Sequence, residues 1–96
     1  MGVKFAREYD DIISDLSKVI GGIPQFYDFL DMNEKDWLSL DESEQKECLK
    51  TLTDDVFFAL GSSSKISLGQ GTVIYDKQKH RIMIDVNNVI NMISLI

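Results

Sequence analysis

Along the first sixty residues, apolar side chains return every three or four positions; beyond Gly61 they alternate or run together between turn residues. The first spacing belongs to helices and the second to strands. From Val3 to Ile20, the residues Phe5, Tyr9, Ile12, Ile13, Leu16, Val19 and Ile20 share one stripe of a 3.6-residue period, with Glu8, Asp10, Asp11, Asp15 and Lys18 between them. This predicts an amphipathic helix over 3–20, closed by Gly21-Gly22 in the left-handed C′ conformation. Pro24 suits the first turn of a short second helix to Met32 that buries Phe26, Phe29 and Leu30. Asn33 can cap one further turn, with Trp37 and Leu38 packing behind it. Asp41 with Glu44 three residues on predicts a capping box for a third helix. Its stripe is Cys48, Leu49, Leu52, Val56, Phe57 and Leu60, and Gly61 ends it.

Ser62-Ser63-Ser64 is a polar connector. Four strands are predicted after it, over 65–68, 72–76, 81–86 and 89–95. Gly69-Gln70-Gly71 reads as a tight turn or bulge. Lys77-Gln78-Lys79-His80 reads as a polar hairpin loop. Asn87-Asn88 reads as a two-residue hairpin turn, because asparagine tolerates positive φ. The fold class expected is α+β: three N-terminal helices, then a four-stranded antiparallel β-meander with the helices packed on one of its faces. The whole chain, residues 1–96, is one domain, with a helical part over 1–60 and a β part over 65–95.

Charge divides at the same boundary. Residues 1–60 hold fourteen acidic and six basic side chains, and residues 61–96 hold two and four. The net charge of −6 opposes direct binding to nucleic acid or to an anionic membrane. No stretch approaches the ~20 apolar residues of a membrane helix. No secretory leader is expected, since acidic residues follow the first seven positions. Met1-Gly2 invites N-acylation, but Ala6 stands where serine or threonine is preferred. Cys48 is the only cysteine, so no internal disulfide forms and a cytoplasmic setting is expected.

Candidate chemistry is sparse. His80 stands alone between Lys79 and Arg81, with no second histidine to build a zinc site. Cys48 belongs to an apolar stripe beside Glu44 and Glu47, whereas a reactive thiol wants an electropositive setting. Adjacent carboxylates such as Asp10-Asp11 and Asp54-Asp55 diverge by about 100° on a helix and do not form a clamp. No catalytic residue, cofactor or metal-ligand set is therefore expected.

Interaction signals are stronger. The last strand is apolar on both faces: Val89, Ile93 and Leu95 on one, Ile90 and Met92 on the other. Something must cover each face, and one cover is expected to be a second copy in a two-fold dimer. Candidate interface residues are Trp37, Phe58, Ile90, Met92 and Ile96, with Asp10, Asp11, Asp54 and Asp55 as an acidic contact face. The function expected is that of a small acidic, non-enzymatic protein-interaction module: an inhibitor, an immunity-like partner or a regulatory adaptor. Two alternatives are an accessory subunit of a larger phage or mobile-element assembly, and a ligand binder or enzyme with a cavity lined by Tyr9, Trp37 and Tyr75.

Overall fold

The helical part and the sheet meet where the spacing of apolar residues changes. The structure is a computed structural model and describes residues 2–96. Met1, and with it one half of the acylation signal, lies outside the described residues. Four strands, β1 (Lys65–Leu68), β2 (Gly71–Asp76), β3 (Arg81–Val86) and β4 (Val89–Ser94), form one antiparallel sheet in the order β1-β2-β3-β4. The register is fixed by the turns. Leu68 pairs with Gly71, Asp76 with Arg81, and Val86 with Val89. Asn87 and Asn88 have φ of 52° and 66°, the twin left-handed residues of a two-residue hairpin.

Alternation along the strands then assigns the faces. Leu68, Val73, Tyr75, Ile82, Ile84 and Ile93 are buried on the inner face, together with Leu95 just beyond β4. The helices α1 (Tyr9–Ile20) and α3 (Glu42–Ala59) lie on that side. They contribute Ile12, Ile13, Leu16 and Ile20 from one, and Leu52, Val56 and Phe57 from the other. Each large side chain buried here contributes about 1.5–3 kcal/mol relative to exposure. Tyr9 packs edge-on against Phe57, and Gly21 approaches Leu49, so the two helices run in opposite senses. The box at the start of α3 forms as predicted, with Asp41 Oδ1 accepting from the Glu44 amide at 2.8 Å. A second box, between Asn33 and Asp36, opens the short helix α2 (Glu34–Leu38).

Three local expectations are corrected. Residues 3–8 are not helical, because their backbone has a better partner elsewhere. The Ala6 and Arg7 amides donate to the Leu95 carbonyl at 2.7 and 3.2 Å, and the Lys4 amide donates to the Tyr75 hydroxyl at 3.2 Å. This segment therefore straps the end of the sheet, and α1 starts only at Tyr9. The helix predicted over 24–32 is a single 3-10 turn, Phe26–Leu30, bounded by left-handed Gln25 and Asp31. Phe29 is accordingly exposed rather than buried. Gly21 is right-handed at φ −61°, not left-handed. Its amide bonds to the Ser17 carbonyl as a continuation of the helix, at 2.9 Å.

Candidate functional site

Among the described residues, no helix covers the outer face of the sheet. Its side chains lie in three cross-strand rows. Ser67, Thr72, Asp85 and Ile90 make one, and Lys65, Ile74, Met83 and Met92 make the next. Asp76, Arg81 and Ser94 make the third. Ile74, Met83, Met92 and Ile90 together give an apolar strip on the β4 side. Met92 and Ile90 are 58% and 55% exposed. The strip is bordered by Arg81, which pairs with Asp76 at 3.3 Å and places a guanidinium nitrogen 3.1 Å from the Met92 sulfur. Ile96 continues the exposed side past the strand.

The two edges of the sheet are managed differently. β1 is four residues long, carries Lys65 and is approached by the 3-10 turn. β4 is six residues long and has no charge and no proline. Natural edges are normally blunted by shortness, lysine, proline, a bulge or a cover. Among the described residues, β4 has a guard only at its far end, where Arg7 Nη1 donates to the Ser94 carbonyl at 2.9 Å. Arg7 is itself held by Asp15 at 2.8 Å.

The backbone pattern shows which groups of β4 are free. The Leu95 amide bonds to the His80 carbonyl at 2.9 Å. Antiparallel pairs alternate between bonded and non-bonded. With the observed register, Ile93, Asn91 and Val89 therefore bond to β3, while the amides and carbonyls of Ile90 and Met92 point away from it. Val89 is 62% exposed although its side chain belongs to the inner face. It lines a surface cleft with Lys18, Val19, Gly22 and Asn91, where α1 fails to reach the start of the strand.

The remaining candidates do not join this surface. Trp37 is half-buried, edge-on to Phe26 at 4.9 Å and stacked on Tyr27 at 6.3 Å, so it closes the 3-10 turn against α2. Phe58 is 74% exposed but stands near the far end of α3, beside Phe5, Phe57 and Gly61. Gln45, whose side chain bonds to the Trp37 carbonyl, lies about 20 Å of helix away from it. Trp37 and Phe58, both candidate interface residues, thus stand in two separate places and share no patch with β4. Asp10, Asp11 and Asp55 are solvated on the helices. Tyr9, Trp37 and Tyr75 occupy three different neighbourhoods and line no common cavity. Among the described residues, no three of His, Cys, Asp and Glu gather as metal ligands. Val89, assigned from sequence to the face of Ile93 and Leu95, belongs to the surface, as do Asn91, Ile74 and Met83, which the sequence does not single out as contacts. The signal lay in strand parity, which puts Ile74 and Met83 opposite the buried Val73 and Ile84.

Asp54 is occupied by a structural bond, since the Tyr9 hydroxyl donates to its Oδ1 at 2.8 Å. Burial, followed by that bond and the charges of Asp54 and Asp10, pushes the Tyr9 hydroxyl up to about 12. Because the folded value is raised, the contribution is complete below the unfolded value of about 10. It is lost as pH climbs from there through the folded value. Carbon NMR of labelled tyrosine rings should therefore find Tyr9 un-ionised at about pH 11, and Asp54→Asn should bring its titration down. A Tyr9 that ionises at the unfolded value would show that the Asp54 bond is not formed.

Comparison with known protein families, with curated proteins and with solved structures finds no match to this chain.

Proposed function

We propose that this chain is a small, cytoplasmic, non-enzymatic protein-interaction module, of the inhibitor, immunity-like or adaptor kind, that works as a self-associated unit. One observation carries the reading: the one uncharged strand among those described is an edge guarded only at its far end, with bare apolar side chains on it. Exposed apolar strips that border polar residues mark interaction sites. The acidic helical layer lies on the opposite side of the sheet and stays accessible after association. There it would speed the approach of a basic partner protein.

Met92→Lys tests the reading. The lysine meets solvent in the single chain, so the protomer keeps its circular dichroism and melting temperature. In an assembly it would set a charge against an apolar side chain of the second copy, twice over in a two-fold pair, which weakens the contact. Sedimentation velocity should show the parent chain as a dimer at about 100 µM, near the weak end of specific association, and Met92→Lys as a monomer. A parent chain that stays monomeric there would overturn self-association. A ladder of larger species would favour an open structural assembly instead.

A further inference from the structure

We infer that β4 pairs antiparallel with β4 of a second copy, about a two-fold axis through Asn91, joining two sheets into one of eight strands. The inference rests on the self-associating reading above and names its geometry.

The strand's own sequence is the argument. Val89-Ile90-Asn91-Met92-Ile93 is chemically palindromic about Asn91. In that register Val89 stands opposite Ile93 of the second copy on the inner face. Ile90 stands opposite Met92 of the second copy on the outer face, and Asn91 meets Asn91. Every exposed apolar residue of β4 then gains an apolar neighbour, and the one polar residue gains an amide that is both donor and acceptor.

Backbone parity agrees. The free amides and carbonyls belong to Ile90 and Met92, and this axis sets Ile90 against Met92 of the second copy, and the reverse, as bonded pairs. The axis also leaves the Ser94 carbonyl with Arg7. Moving it one residue, to Met92, would set Asn91 against Ile93 and Ile90 against Ser94, and would require Arg7 to release the Ser94 carbonyl. One register therefore satisfies side chains, backbone and the arginine guard together.

On the outer face charge does not oppose the pairing, even though each chain carries −6. β4 is uncharged, and the nearest ionic side chains on the outer face, Arg81 and Asp85, sit at opposite ends of β3. The two-fold axis brings Arg81 of one copy to the same end as Asp85 of the other. These are three strand spacings apart, about 14 Å, beyond the screening length of about 8 Å. The apolar strip would then run unbroken across both copies. A standard interface takes about 800 Å² from each partner. Of the 6130 Å² that each chain exposes, Val89, Ile90 and Met92 of this edge contribute side chains that are 62%, 55% and 58% exposed.

The test is a disulfide scan in the full chain with Cys48→Ser. Asn91→Cys places two thiols in a close non-bonded antiparallel pair, within disulfide reach. Val89→Cys places its thiols four residues out of register on each strand, about 14 Å apart. Mild oxidation should convert most of the Asn91→Cys protein to a covalent dimer on a non-reducing gel and leave Val89→Cys monomeric. In the parent chain, amide exchange at Ile90 and Met92 should slow at least tenfold on concentration. If the parent sediments as a dimer but Asn91→Cys does not cross-link, strand pairing is overturned and self-association stands. Equal cross-linking at both positions would overturn the register. A monomeric parent would overturn both, leaving the edge to a strand from a different protein.

Discussion

Replacing Leu95 by aspartate is expected to unfold the protein, whereas the same change at Ile96 should move its melting temperature by no more than about 4 °C. The two residues are adjacent and chemically alike. Leu95 is fully buried beneath the helices, and Ile96 is 63% exposed. A carboxylate at position 95 either stays charged in an apolar core or takes up a proton there, and both are costly. It also removes a packed leucine, a loss that by itself destabilises by about 2–5 kcal/mol. Against a typical total of about 5–15 kcal/mol, the sum leaves little folded protein. Circular dichroism during urea unfolding would read both variants. A tolerated Leu95→Asp, or an Ile96→Asp that unfolds, would reverse the assignment of faces at the end of the sheet.

Gly69→Ala should be nearly as severe for a different reason. Gly69 has φ +57°, and a Cβ built there falls 2.5 Å from the Pro24 carbonyl oxygen and 2.6 Å from the Gln25 carbonyl carbon. These are backbone atoms and cannot swing aside. The Gln70 amide also bonds to the Pro24 carbonyl at 3.0 Å, so the β1–β2 turn and the linker after α1 are docked together. The left-handed backbone alone disfavours alanine by about 1–2 kcal/mol, and relieving the clash means separating that dock. The expected loss is about 2–4 kcal/mol, within the range of named severe mechanisms. It would be read as a fall in urea midpoint. A loss below about 0.5 kcal/mol, the ordinary surface value, would mean that the dock does not form.

The sheet was legible because its punctuation is local. Gly69, the 77–80 loop and Asn87-Asn88 each encode a turn within a few residues, and alternation does the rest. The Asp41–Glu44 capping box was legible for the same reason, since partner and cap are three residues apart, and so was Asn33 as a cap, though not the box it makes with Asp36. The start of α1 was not. Phe5 and Tyr9 have helical spacing, but what decides residues 3–8 is a carbonyl at Leu95, far along the chain and invisible to a window. The same blindness applies to Asp54, whose solvated appearance hides the Tyr9 bond. At the interaction surface, two-faced strand apolarity pointed to Ile90, Met92 and Ile96. Trp37 misled because an aromatic in a polar stretch looks exposed, whereas Phe26 and Tyr27 lie next to it in space.

The strap at residues 4–7 has a consequence for how the chain folds. Every strand pairing closes a short hairpin, but the Arg7–Ser94 bond joins residues 87 apart. Loop closure grows costlier by about 0.6 kcal/mol per doubling, so this closure is about 2.5–3 kcal/mol dearer in entropy than a four-residue hairpin loop. It becomes favourable only when α1 and the sheet have already docked and shortened the effective loop. Hairpins and helices therefore assemble first, and the arginine clasp is the last step of folding and the first to open.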